Sequence, residues 1–193
     1  MMRMFSTDAD LFFSPPHTAL SVPGWFGVLY LLRRDIDLCM GVNPATGTAV
    51  SCTALWPGTM AVLAGIDLLA KFFAGSDEMR QAGPRFRSFL PCFFSITKPA
   101  DAEVIYQLRN SLLHSFGLYS KNKTDVYRFF LTATGTGQLV SQKPPDEYYV
   151  DVRILYREFE KAVEAYRTKL DRDPGLQAHF TAMFGNYGRI CIK

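Results

Sequence analysis

The sequence predicts a mainly α-helical fold with a small β-hairpin or meander inserted around residues 118–150. Three observations carry this. Apolar residues recur at helical spacing through residues 25–40, 57–74, 101–116 and 151–170. Glycines and prolines stand at the ends of those stretches. Between 118 and 152 the texture shifts to short aromatic and β-branched runs around a Thr134-Gly135-Thr136-Gly137 turn.

Each element has its own signal. The first twenty or so residues read as irregular, with Pro15-Pro16 and Pro23-Gly24 as breakers. Residues 25–40 read as a helix. The next runs over 57–74, with Pro57 suited to its first position and Gly75 just past its end. A short helix over 78–94 is interrupted by Pro84 and Pro91. The following helix is the best marked: Thr97 as N-cap, Pro99 in the first turn, Asp101 and Glu103 near the positive end, and Gly117 as the stop. Strand-like runs are expected at 125–134, 138–142 and 147–150. A long helix over 151–170 carries the stripe Val152, Leu155, Phe159, Val163, Tyr166. Pro174 opens a last short helix to about 184, and residues 189–193 read as a strand or ordered extension.

Composition narrows the class. At 193 residues the chain is one domain long, spanning 1–193, and large enough for a core without staples. Hydrophobic residues at 48% and charged residues at 20% exclude disorder, and sixteen phenylalanines point to an aromatic core. A net charge of +3 with scattered Lys and Arg permits a nucleic-acid partner without requiring one. Cys39, Cys52, Cys92 and Cys191 form no CxxC pair and have no His at metal-ligand spacing, so no metal and no cofactor is expected. The thiols read as small buried hydrophobes in a reducing, cytoplasmic setting. No signal peptide is read at the start. The uncharged stretch from Leu38 to Ile66 is long enough for a bilayer. A turn-rich loop at 43–48 and the breaker Trp56-Pro57-Gly58 cut it short, so no membrane span is expected.

One segment carries candidate chemistry, Arg109-Asn110-Ser111-Leu112-Leu113-His114. On a wheel, Val104, Ile105, Leu108, Leu112, Ser115 and Phe116 share the core side. Glu103, Tyr106, Gln107, Asn110, Ser111 and His114 share the other, with Arg109 on the border. The surface thus combines a base that titrates near neutrality, a permanent cation matched to phosphate oxygens, and hydrogen-bonding groups. That is a minimal kit for cleaving a phosphodiester without a metal. Arg109 and His114 are five apart, so their Cβ vectors diverge by about 140° on a straight helix. Two facing copies would converge them better than one.

The six residues RNSLLH, late in a helix and with a polar residue directly after the Arg, resemble the RX4-6H motif of the HEPN superfamily. The resemblance spans the helices near 57–74, 99–116 and 151–170, while the β-like segment is an addition to that core. It implies a HEPN-like helical bundle, a homodimer, and a composite RNA-cutting site made of two facing motifs. It also implies a metal-independent endoribonuclease of the defence or toxin type, with RNA as substrate and an antitoxin or regulatory protein as partner. Arg109, Asn110 and His114 match the motif and would be catalytic: His114 as general base or acid, Arg109 stabilising charge on phosphorus, Asn110 orienting. Tyr106 and Glu103 are supporting candidates from the wheel. The alternative is a non-catalytic HEPN-like module binding a partner protein or nucleotide. An enzyme needs Arg109 and His114 exposed in one cleft, whereas the module tolerates either being buried or salt-bridged.

Asp67 lies in the apolar stretch GIDLLAKFF and needs a partner. Lys71, four residues on, is one choice. The other is Arg109 or His114 on a neighbouring helix, which would make Asp67 a supporting site residue. Lys121-Asn122-Lys123 with Arg128 is a small basic cluster, either a solvated turn or a set of RNA phosphate contacts. Gly135-Thr136-Gly137 reads as a hairpin turn, and His17 and His179 have no supporting pattern.

Overall fold

Seven helices and six strands make up the computed structural model, which describes residues 2–15, 25–51, 54–96 and 98–191. His17, Cys52, Thr97 and the Pro23-Gly24 breaker lie outside the described residues. The elements run α1 (Met2–Phe13), β1 (Trp25–Gly27), α2 (Val28–Met40), α3 (Leu55–Ala74), α4 (Ala82–Phe93), α5 (Pro99–Ser115), β2 (Tyr119–Lys121), β3 (Val126–Thr132), β4 (Val140–Lys143), β5 (Glu147–Asp151), α6 (Val152–Leu170), α7 (Pro174–Tyr187) and β6 (Arg189–Cys191). A short 3₁₀ turn, Met79–Gln81, precedes α4.

Helix α3 is the axis of the bundle, packing on α2, α4, α5, α6 and α7. It is the one described helix long and apolar enough to cross a membrane, yet half of its apolar window is buried inside the fold. Trp56-Pro57-Gly58 does not break it. These residues occupy its first turn, where a proline forfeits no intrahelical bond. Gly75 closes the helix with φ of 64°, donating its N–H to the Phe72 carbonyl, as the glycine after the periodic run predicts.

The core around α3 is aromatic. Phe12, Phe72 and Phe180 meet with ring centroids 4.4–5.5 Å apart, and Phe73, Phe89 and Phe93 pack with Tyr166. Phe12 belongs to α1, a helix where irregular chain was expected. Its apolar face, Ala9, Phe12 and Phe13, is buried in the bundle.

Three boundaries differ from expectation, the first for a non-local reason. Residues 25–27 pair antiparallel with β6 instead of starting α2, with Phe26 opposite Ile190. Helix α7 extends to Tyr187, and Pro91 lies inside α4 near its end. Gly135-Thr136-Gly137 closes no hairpin, because it leads from β3 to β4, which do not pair with each other. The β insertion is also not a meander. It is a mixed sheet of order β2-β3-β5-β4, two antiparallel hairpins joined by a parallel β3–β5 pair. Its buried face, Tyr127, Phe129 and Val150, joins the core. Ser120 on the same face donates to Gln107 of α5 at 2.6 Å.

Asp151 locks this sheet to α6. Its carboxylate accepts from the Arg153 and Ile154 amides at 3.0 and 2.9 Å, an N-cap, and from the Thr134 hydroxyl and Gly135 amide at 2.6 and 3.0 Å. Burial pushes this carboxyl up, but the hydrogen bonds from Thr134, Ile154 and Gly135 outweigh it and hold it below the usual aspartate range. A group depressed in the fold contributes stability that is present above its unfolded value, about 3.9, and is lost as pH falls through the folded one. Asp151→Ala is therefore expected to lower stability by about 2 kcal/mol at pH 7, combining the cap and the Thr134 bond. Thermal melts should show the gap to wild type closing below about pH 4. A gap that persists unchanged at pH 3 would refute the assignment.

Candidate functional site

Helix α5 presents the motif. It starts at Pro99, with Asp101 in the first turn, and ends with His114 in the last, the end where a cation is favoured. The wheel's two faces are not what the fold uses. Gln107 and Ser111, assigned to the polar face, are buried because the β2–β3 hairpin covers that side of α5. Ser115 and Phe116, assigned to the core, are exposed because the helix is ending there.

Four of the six candidate residues converge. The Arg109 guanidinium is ion-paired through Nη2 with Asp67 on α3. Its Nη1 donates to Asn110 Oδ1 at 3.1 Å and lies 2.6 Å from His114 Nε2. A guanidinium only donates, so Nε2 accepts and the ring proton sits on Nδ1 in this arrangement. Asp67 thus takes the second of its two possible partners, while Lys71 lies over the Tyr187 ring, 4.8 Å from its centroid. The Asp67 and Arg109 side chains are 18% and 12% exposed, whereas His114 is open to solvent.

The wheel argument that one chain converges Arg109 and His114 poorly does not hold in the fold. The Cβ directions diverge, but the arginine stem is long enough to lay its head beside the last turn, where Asp67 anchors it. Convergence within one protomer removes the geometric argument for a dimer.

The other two candidates stand with different partners. Glu103 accepts from Arg87 of α4 at 3.2 Å and from Gln107 at 2.7 Å. Tyr106 packs on Phe86 and lies under the Arg87 guanidinium, 4.6 Å from the ring centroid. Both therefore tie α5 to α4 and do not join the Arg109–His114 group.

Two features beside the motif had no clear sequence signal. Ser111 links the helix end to the following loop, its hydroxyl donating to the Gly117 carbonyl at 3.0 Å. Phe116, not Gly117, takes the left-handed position after the helix, with φ of 49° and 71% of its surface exposed. The Gly117 amide then bonds back to the Ser111 carbonyl at 3.1 Å. A phenylalanine held there is strained, and its ring is not buried in return. Phe116→Gly is expected to raise stability by about 0.5–1 kcal/mol, the relieved strain exceeding the extra glycine entropy. A lower melting temperature in the variant would show instead that the ring packs.

Among the described residues no three His, Cys, Asp or Glu side chains are grouped so as to hold a metal. Cys39, Cys92 and Cys191 are free thiols, Cys39 half-buried and Cys92 and Cys191 exposed, so none of the three is the buried hydrophobe the sequence suggested. The His179 Nδ1–H donates to the Phe73 carbonyl, 2.8 Å away, at the end of α3 and apart from the motif. No protein-family model matches the chain, and neither a curated protein nor a solved structure matches it.

Proposed function

We propose that this protein is a HEPN-like, metal-independent endoribonuclease whose reaction centre is the Asp67–Arg109–Asn110–His114 group. The supporting observation is the convergence itself: an exposed imidazole held against a guanidinium that a carboxylate on another helix orients. In the proposed reaction the 2′-oxygen of a ribose attacks the adjacent phosphorus. A cyclic phosphate forms, the 5′-oxygen leaves, and one proton moves from the 2′-hydroxyl to a base and another from an acid to the leaving oxygen. His114 is the group that carries protons, and Arg109 offsets the charge gathering on the phosphoryl oxygens. One histidine in each of two facing chains supplies the base and the acid, which is the reason for a homodimer. A reducing cytoplasmic setting and control by an antitoxin-like partner belong to the same reading.

A second reading has its own observation. Arg109 is ion-paired and mostly covered, the condition that a non-catalytic HEPN-like module binding a protein or nucleotide tolerates. Total RNA incubated in EDTA with wild type, Arg109→Ala and His114→Ala separates the two. Cleavage by wild type alone, leaving a cyclic phosphate end, supports the nuclease. Intact RNA with a folded protein supports the module.

A further inference from the structure

The four-stranded sheet covers α5 with one face and leaves the other to solvent, and the alternation of its strands decides what lies there. The β2–β3 register sets Tyr119 opposite Arg128 and Lys121 opposite Val126, so these share the outer face with Phe130. The β3–β5 register adds Tyr149, whose ring stacks on Phe130 with centroids 4.9 Å apart and planes within 16°. Tyr119 is 52% exposed and Phe130 42%, an uncommon position for two large rings on one solvent face.

The charged residues at outward strand positions are Lys121, Arg128 and Lys143 against Glu147 and Asp151, of which Asp151 is buried in its own cap. Lys143 lies 3.8 Å from Glu147, and Arg128 pairs at 2.7 Å with Asp146 in the adjoining turn. Lys121, and Lys123 in the next turn, have no recorded anionic partner among the described residues. With the adjoining turns included, Lys121, Lys123, Arg128 and Lys143 stand against Asp125, Asp146 and Glu147, a small positive excess with flat rings between the cations. Planar hydrophobic surfaces flanked by cations match a polyanion whose monomers carry aromatic bases. An acidic peptide would satisfy the cations but not the rings. The face also adjoins the motif. His114 and Tyr119 are five residues apart, which limits their Cα separation to about 18 Å, and exposed Phe116 lies between them.

We infer that the outer face of this sheet binds unpaired RNA, stacking bases on Tyr119 and on the Phe130–Tyr149 pair and holding phosphates at Lys121 and Arg128, so that the strand leads to His114. This rests on the RNA reading above and gives it a substrate class, single strands over duplexes. Bases buried inside a duplex cannot reach the rings.

The test measures binding apart from cleavage. Fluorescence anisotropy in EDTA, with His114→Ala as the full-length background, follows a labelled oligouridylate of about 12 nucleotides beside a duplex of equal length. The single strand is expected to bind at least about fivefold more tightly than the duplex. Tyr119→Ala and Phe130→Ala should each weaken binding about fivefold or more, and Phe130→Leu, which keeps apolar bulk for folding, should weaken it too. Lys121→Ala should reduce the slope of log affinity against log salt by about 0.7. Absent binding, equal binding to duplex, or indifference to the ring variants overturns the inference. So does a ring variant that changes the oligomeric state in light scattering but not RNA affinity, which would make the face a self-interface. Binding without wild-type cleavage leaves this inference standing and removes the nuclease. Cleavage with binding indifferent to the rings does the reverse.

Discussion

His114→Ala is expected to reduce metal-independent RNA cleavage by about 10²–10⁴-fold, the usual contribution of a positioned acid or base. It is the cleanest variant available. The ring is exposed and its one hydrogen-bonding contact among the described residues is with Arg109, so its removal should shift stability by no more than about 0.5 kcal/mol. Arg109→Ala should cost about 10²–10³-fold, but it also leaves Asp67 without its ion pair, so its effect must be read per folded molecule. Arg109→Lys should not restore the rate. Two guanidinium nitrogens fan out to Asp67, Asn110 and His114, and one ammonium cannot serve that geometry from a flexible stem. In a cell the same ordering should appear as growth arrest on expression of wild type and normal growth with His114→Ala. Equal RNA decay with wild type and His114→Ala, or a strict need for a divalent ion, would remove the nuclease reading.

How far such residues could be read from sequence depended on whether the relevant contacts were local. The Asp151 cap of α6 went unread, because its carboxylate also takes bonds from Thr134 and Gly135, in the loop after β3. The start of α5 was legible because Pro99 and Asp101 act within its first turn, although Lys98 and not Thr97 holds the cap position. The buried stripe Leu155, Phe159, Val163, Tyr166 was legible for the same reason. The β1–β6 pair was not, since Trp25 and Cys191 are separated by most of the chain and no local pattern links them. The parallel β3–β5 pairing was hidden too: alternation shows which residues share a face, not which strand lies next to which.

At the site, the wheel could not follow the Arg109 stem, and so kept apart two groups that touch. It also treated one face of α5 as solvent because nothing in the helix itself announces the hairpin that covers Gln107. Glu103 and Tyr106 share that face in projection, but Arg87 on α4 claims both. Asp67 was the most informative single residue. A carboxylate in an apolar helix must be paired, and the fold supplies Arg109.

Asp67→Ala is accordingly expected to destabilise the protein by about 3 kcal/mol, since it leaves a mostly covered guanidinium with its Nη2 unpaired. For a chain of this length that lowers the melting temperature by roughly 6–12 °C. The Arg109 Nε is already buried without a partner, so the head group has little to fall back on. Asp67→Asn keeps an acceptor oxygen but loses the charge, and should cost about 1 kcal/mol. The double variant Asp67→Ala, Arg109→Ala should be less destabilised than the sum of the two single variants, because the second substitution removes the charge the first stranded. Stability alone does not separate a structural ion pair from one that also positions the site. The rate per folded molecule does. If Asp67 holds Arg109 and thereby His114 in place, Asp67→Asn should slow cleavage at temperatures where it is fully folded, while His114 still carries the proton. An unchanged rate with lowered stability would make the pair purely structural, and no change in either would end any role for Asp67.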